Sequence, residues 1–132
     1  MSVTLSYSSI FARDVETLPD FYVTVLGLEE ISASRSVKYR ELMAGGVKLG
    51  FIHLGGYEML GLAGSADAVG VKSILTFAVT DPATVDRLTK AALARGATLA
   101  HAPFRTFFGQ YQSVLLDPEG NALRISTQAR DL

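Results

Sequence analysis

The chain contains one structural pattern twice, and this duplication restricts the folds available to it more than any other feature. An apolar strand, an aspartate and a helix that ends at a glycine run from residue 7 to 30, and the same layout returns from residue 74 to 99. Asp14 and Asp81 stand at matching positions. Each begins a predicted helix, where a carboxylate can accept hydrogen bonds from the free amides of the first turn. The chain therefore reads as two copies of one unit.

The second half of each copy is rich in predicted strands. Short alternating apolar runs flank two turn sequences, AGG at residues 44–46 and PEGN at residues 118–121. Aligning the turns pairs Gly50 of the first copy with Arg124 of the second. One helix covers only one face of a four-stranded sheet, so the other face stays open unless two units meet.

We therefore predict an α+β fold in which two βαβββ modules form a cupped, barrel-like mixed sheet with the helices outside. Residues 1–132 are one domain, with module one at about 3–54, a linker at about 55–70 and module two at about 71–127. The linker offers two side chains for burial, Tyr57 and Met59. It either crosses the mouth of a pocket or is a plain flexible connector.

The composition argues against several classes of function. Twelve Lys and Arg against thirteen Asp and Glu give a net charge of -1, and no basic stripe for nucleic acid is present. The absence of cysteine excludes disulfides, thiolate metal sites and a cysteine nucleophile. The stretch MSVTLSY lacks the features of a signal peptide, and no apolar run reaches membrane-spanning length. We expect a cytoplasmic protein without nucleic-acid or membrane partners.

Two motifs carry a resemblance to a known family. The helix-ending FYVTVLGLEE and the DPEGN turn before the last strand resemble the vicinal oxygen chelate superfamily, and both copies match over roughly residues 3 to 127. That superfamily includes glyoxalase I, extradiol dioxygenases, fosfomycin-resistance enzymes and bleomycin-resistance proteins. The resemblance implies paired βαβββ modules and a homodimer. Whether the modules pair within one chain or swap across a dimer stays open.

The resemblance also implies four positions for ligands of a divalent metal ion. They correspond here to Tyr7, Ile74, Gly50 and Arg124. A neutral phenol is a poor ligand, isoleucine and glycine side chains are not ligands, and a guanidinium repels the ion. We therefore expect no metal and no other cofactor at these positions.

Two histidines provide the alternative to that expectation. His53 lies on a strand face that should point toward the helix, and His101 enters a proline-bearing loop. Neither falls at a ligand position that the resemblance implies, and an isolated histidine is a weak signal. A metal site built from His53, His101 and Glu41 remains an open alternative.

Arg124 is the main candidate for ligand binding. It lies between Leu123 and Ile125. Because a strand alternates faces, these two should pack under the helix while Arg124 points into the cup. A cation in a partly dry cavity requires an anion or a stacked ring. The other interpretation is an internal salt bridge to an aspartate or glutamate.

Other predicted contacts come from three segments. Tyr7, which could donate a hydrogen bond or pack as a structural residue, belongs to the first strand. An aromatic run at residues 104–112 is either a clamp over the ligand or a structural element. Besides Tyr7 and Arg124, the predicted ligand-binding residues are Ser9, Phe11, Thr76, Phe108, Gln110 and Tyr111.

These residues support three hypotheses. The first is a metal-free protein that resembles bleomycin-resistance proteins and binds a small aromatic or anionic molecule, to sequester or sense it. The second is an enzyme, namely a lyase, isomerase or dioxygenase. It is either metal-dependent with atypical ligands or a metal-free acid–base catalyst that uses Tyr7 and Arg124. The third is a dimeric module whose cup is filled by its own side chains.

Overall fold

The structure, a computed structural model, describes residues 2–128. The chain divides into two compact units, Met1–Val69 and Gly70–Leu132. None of the helices in the described part of the chain is long and apolar enough to cross a membrane.

The first unit has the predicted βαβββ order. Its sheet has the strand order β1-β4-β3-β2, in which β1 runs parallel to β4 and the other neighbours are antiparallel. The elements are β1 (Tyr7–Ala12), α1 (Thr17–Leu26), β2 (Glu29–Glu30), β3 (Tyr39–Ala44), β4 (Val47–His53) and α2 (Gly56–Met59), with 3₁₀ turns at Ser32–Ser34 and Ala63–Ser65.

The second unit repeats this topology. Its sheet has the strand order β5-β8-β7-β6, again with one parallel pair, β5 with β8. The elements are β5 (Ile74–Val79), α3 (Pro82–Ala94), β6 (Thr98–Arg105), β7 (Tyr111–Leu116) and β8 (Ala122–Thr127). The α+β fold with two βαβββ copies is therefore confirmed. Each four-stranded sheet is open, with β1 and β2 at the edges of one sheet and β5 and β6 at the edges of the other.

In both units the helix covers one sheet face. In the first, Leu42, Leu49 and Phe51 are fully or almost fully buried, and the Phe51 ring lies 5.5 Å from the ring of Tyr22 in α1. In the second, α3 packs on β7 and β8, and the Thr89 hydroxyl lies 2.7 Å from that of Ser113. The apolar residues fully buried in this second core are Val85, Ala92, Leu115, Leu123 and Ile125.

An aspartate precedes each main helix: Asp81 is the N-cap of α3, whereas Asp14 lies two residues before Glu16, the N-cap of α1. Oδ1 of Asp14 accepts from the amides of Glu16 at 2.9 Å and Thr17 at 3.0 Å. Oδ1 of Asp81 accepts from the Thr84 amide at 2.8 Å. Because these bonds favour the ionised form, they lower the pKa of both carboxyl groups, with Thr17 the largest cause for Asp14 and Thr84 for Asp81.

The last hairpin is built around Asp117. Its Oδ1 accepts from the amides of Glu119 and Asn121, and the Gly120 amide donates to its carbonyl at 2.9 Å. Gly120 has a positive φ of 87°, which explains the glycine in DPEGN. The turn fixes the pairing of β7 with β8, and thereby the face on which each side chain of β8 lies.

The segment predicted as a linker contains local structure. Tyr57 follows the buried Gly56 and stacks on Phe11, with 3.8 Å between the ring centroids and 16° between the ring planes. The expectation of burial was wrong for Met59, which is the last residue of α2 and is 75% exposed.

Candidate functional sites on the two open sheet faces

Arg124 lies on the face of the second sheet that faces away from α3. Its neighbours Leu123 and Ile125 are completely buried, whereas Arg124 is partly exposed. Across the sheet, it pairs with Thr76 on one side and Val114 on the other. The predicted alternation is therefore confirmed for β8.

The Arg124 guanidinium has a hydroxyl as its side-chain partner in the described part of the chain. Nε donates to Oγ1 of Thr76 at 2.7 Å, which fixes one edge of the side chain. Within residues 2–128, no aspartate or glutamate forms an ion pair with it. The alternative of an internal salt bridge finds no partner in this part of the chain. Two guanidinium nitrogens are left to bind an external acceptor.

The matching row of the first sheet has a different composition. Ser9 of β1 pairs with Gly50 of β4, which pairs with Glu41 of β3. A Cβ atom built on Gly50 would lie 2.7 Å from the Tyr39 hydroxyl and 2.9 Å from Oγ of Ser9. The two hydroxyls therefore converge above Gly50, and only glycine leaves room for them.

Glu41 is a buried carboxylate on this row, with only 5% of its surface exposed. The Tyr39 hydroxyl donates to its Oε2 at 2.8 Å. Burial, first, and the adjacent Glu41 carboxylate, second, raise the pKa of Tyr39, so the phenol stays protonated and keeps donating.

The remaining predicted residues of β1 lie beside this row. Tyr7 is 47% exposed, and Nζ of Lys48 lies 5.2 Å from the centroid of its ring. Ser9 is also exposed. Phe11 is partly buried by its stacking on Tyr57. The three side chains alternate with those that point toward α1 and therefore share the open face.

The aromatic run contributes residues to both faces of the second sheet and to a loop. Tyr111 lies on the helix side, since its hydroxyl donates to Oδ1 of Asp86 in α3 at 2.7 Å, and this bond raises its pKa. Phe108 is exposed in the loop before β7. Gln110 closes that loop, because its amide donates to Oγ1 of Thr106 and its carbonyl accepts from the Thr106 amide. The structure therefore places Tyr111 on the face opposite Arg124.

The donor set does not fit a divalent metal ion. Within residues 2–128, no three His, Cys, Asp or Glu side chains form a group that could hold one. His53 continues the helix side of β4, whereas Glu41 lies on the opposite face. The His101 ring packs on Phe104 at 3.8 Å, and its Nδ1 lies 2.7 Å from the Ala102 carbonyl oxygen. The alternative set of His53, His101 and Glu41 is therefore not a preformed site in either unit.

Two open depressions lie away from these rows. One in the first unit, about 500 Å³, is lined by residues that include Arg13, Arg40 and His53. One in the second unit, about 350 Å³, is lined by residues that include Arg105 and Thr127. Neither Glu41 nor Arg124 lines these depressions.

Tyr39 is the site residue that sequence reasoning missed. The two-residue turn at Gly45 and Gly46 sets the hairpin register, and counting back from it places Glu41 opposite Gly50. Tyr39, two residues before Glu41, then falls on the same face. The sequence therefore contained a signal for this cluster.

Comparison with known proteins gives consistent matches. Residues 4–125 match the model described as the Glyoxalase/Bleomycin resistance protein/Dioxygenase superfamily. A glyoxalase/bleomycin resistance protein/dioxygenase family enzyme from Burkholderia phytofirmans PsJN is 42% identical, with a TM-score of 0.92 over 95% of this chain and 98% of that chain.

More distant solved structures share the fold. A glyoxalase-related enzyme from Fulvimarina pelagi is 19% identical, with a TM-score of 0.81 over 95% of this chain and 88% of that one. A lactoylglutathione lyase from Agrobacterium tumefaciens is 21% identical, with a TM-score of 0.70 over 96% and 94%. The comparison with curated proteins found no match.

Proposed function

Because the chain belongs to the Glyoxalase/Bleomycin resistance protein/Dioxygenase superfamily, we propose that it binds a small organic anion, flat or aromatic, at Arg124 without a metal ion. Binding would sequester or sense that molecule. The observation that carries this proposal is the Arg124 guanidinium, which has no carboxylate partner within residues 2–128. It stands where the family resemblance implies a carboxylate metal ligand.

The surroundings of Arg124 support an anion as the ligand. Thr76 holds Nε, so less side-chain entropy is lost when the other nitrogens bind an acceptor. A planar guanidinium matches a carboxylate or phosphonate through two parallel hydrogen bonds. A divalent cation at the same place would meet like charge.

Titration calorimetry with benzoate and phenylphosphonate tests the proposal. Arg124→Ala should weaken binding about 10- to 100-fold, since a charge-assisted hydrogen bond is lost. Arg124→Lys should recover part of the affinity, because lysine restores the positive charge but not the two parallel hydrogen bonds of a guanidinium. Arg87→Ala, which removes an exposed arginine of α3, is the matched control. Equal affinities of the wild type and Arg124→Ala would refute anion binding at this residue.

Catalysis is the second candidate, and one comparison favours it. The 42% identical relative is described as a family enzyme. A metal-free reaction would use Tyr7 as the acid or base and Arg124 as the electrophilic stabiliser, and a metal-dependent one would need atypical ligands. We would screen lyase, isomerase and dioxygenase substrates with and without a chelator. Turnover that survives the chelator and fails in Tyr7→Phe would establish the metal-free form.

Assembly and location complete the proposal. We propose a homodimer, on the family resemblance and on the exposed apolar side chains of residues 59–62, which include Met59, Leu60 and Leu62. We also propose a cytoplasmic location, since a chain without cysteine needs no oxidising compartment. Light scattering after gel filtration would reveal a monomer if the homodimer proposal is wrong. Fractionation of cells would test the cytoplasmic location.

A further inference from the structure

The open face of the first sheet contains the carboxylate of Glu41, a residue with only 5% of its surface exposed. Within residues 2–128, no lysine, arginine or histidine forms an ion pair with Glu41. Lys48 lies on the same face, but its ammonium is over the Tyr7 ring. The one hydrogen bond that the structure shows for the Glu41 carboxylate comes from the Tyr39 hydroxyl, to Oε2.

Arg40, the residue before Glu41, is a buried charged residue whose partners lie within the unit. Arg40 points to the other face and is 2% exposed. Its guanidinium donates to two carboxylates, those of Glu30 and Asp20, and to the Glu16 carbonyl at 2.6 Å. A buried charge is normally paired in this way. Glu41, one residue later, has accepting capacity left for an external donor.

The surroundings of Glu41 combine negative charge with aromatic surface. The Tyr39 ring lies next to the carboxylate, and Tyr7 and the stacked Phe11 lie on the same face of β1, the edge strand on the far side of β4. The rings of tyrosine and phenylalanine attract cations through their faces, and Lys48 already makes such a contact with Tyr7. Carboxylate and aromatic faces together are the groups that recognise an ammonium ion on an apolar body.

We propose that the open sheet face of the first unit binds a primary or secondary organic ammonium ion, with Glu41 as its counter-ion. The ammonium group donates to the carboxylate, Ser9 and Tyr39 flank it above Gly50, and the apolar body lies along the aromatic rings. The proposal does not rest on anion binding at Arg124.

Binding of 2-phenylethylammonium, followed by calorimetry and by amide shifts in two-dimensional NMR spectra, tests the proposal. The neutral matched probe is 2-phenylethanol. The wild type should prefer the ammonium ion, and Glu41→Gln should weaken its binding about tenfold or more while changing the affinity for the alcohol little. Glu58→Gln removes an equal charge at an exposed position of α2 and should leave both affinities unchanged.

The wild-type spectra keep the test independent of how well Glu41→Gln folds. Amide shifts caused by the ammonium ion should concentrate at Ser9, Gly50 and Glu41. The anion site is tested with benzoate and phenylphosphonate, so the two proposals are decided by different probes. The proposal is overturned if the wild type does not bind the ammonium ion, if the shifts lie elsewhere, or if Glu41→Gln binds it as tightly as the wild type.

Discussion

The two units share their helix-facing layer but differ on their open faces. Leu42, Leu49 and Phe51 of the first unit correspond in register to Leu115, Leu123 and Ile125 of the second, and all six are buried. On the opposite, open face, the row of cross-strand neighbours consists of Ser9, Gly50 and Glu41 in the first unit. In the second unit it consists of Thr76, Arg124 and Val114. Packing therefore constrains one face of the duplicated scaffold, while the other face carries a carboxylate in one copy and a guanidinium in the other.

Two arginines show the same division between structure and function. Arg40 is buried on the helix side and bonded to Glu30 and Asp20, and these hydrogen bonds, Glu30 first, raise its pKa. Arg124 is partly exposed on the open side and bonded to the Thr76 hydroxyl. We infer that the first arginine stabilises the fold and the second is available to a ligand.

The largest expected effect is therefore the loss of Arg40. Arg40→Met should lower the free energy of unfolding by about 3 kcal/mol, because it leaves the largely buried Glu30 with only the longer ion pair to Arg35, at 3.3 Å. The value lies at the low end for buried pairs, since Asp20 is 61% exposed and remains hydrated. Arg124→Met should change the free energy of unfolding by less than about 1 kcal/mol. Urea unfolding followed by circular dichroism measures both, and equal losses would contradict the comparison.

The second-largest expected effect on stability comes from replacing Gly50. Gly50→Ala should destabilise the protein by about 1–3 kcal/mol, because the added methyl group would lie 2.7 Å from the Tyr39 hydroxyl and force it to move. Gly46→Ala is the matched control, since a Cβ there meets nothing within 4 Å. The same urea titration applies, and a Gly50→Ala variant as stable as the control would mean that the hydroxyl cluster is loose.

A smaller effect should appear at alkaline pH. Because the folded-state pKa of Tyr39 is raised above its ordinary value of 10.0, its contribution to stability is complete below that value and is lost as the pH rises through the raised pKa. The wild type should therefore lose stability above about pH 10 more steeply than Tyr39→Phe. Thermal melts from about pH 8 to about pH 11 measure this, with Tyr57→Phe as the control. Identical slopes for the wild type and Tyr39→Phe would contradict it.

Most of the fold could be predicted from local patterns. The repeat, the aspartates at the helix starts and the alternation around Arg124 all follow from sequence periodicity, and the pairings of Ser9 with Gly50 and of Thr76 with Arg124 confirm the alignment of the copies. Strand periodicity shows that one face of each sheet is open, but it does not show which strands lie at the edges, and the strand orders supply that information.

The candidate sites were less predictable, because they depend on distances across strands. The position of Tyr111 illustrates this: the aromatic run left a ligand clamp and a structural role open, and the β7 register places its hydroxyl on Asp86 of the helix. Whether Arg124 meets a carboxylate also depends on which side chains the topology brings near it, and periodicity gives no such information.

The smallest expected effect compares the two helix starts. The pKa of Asp14 and that of Asp81 are both lowered, so each contribution is present above the ordinary value of 3.8 and is lost as the pH falls through the lowered value. Asp14→Ala should lower the melting temperature at neutral pH slightly more than Asp81→Ala, because Asp14 accepts from two backbone amides and Asp81 from one. The asparagine variants retain the acceptor without its titration and should keep most of the neutral-pH stability. Melts at about pH 7 and about pH 3 distinguish these cases. If alanine at either position left the melting temperature unchanged at neutral pH, the matching aspartates would reflect only the duplication and not the start of a helix.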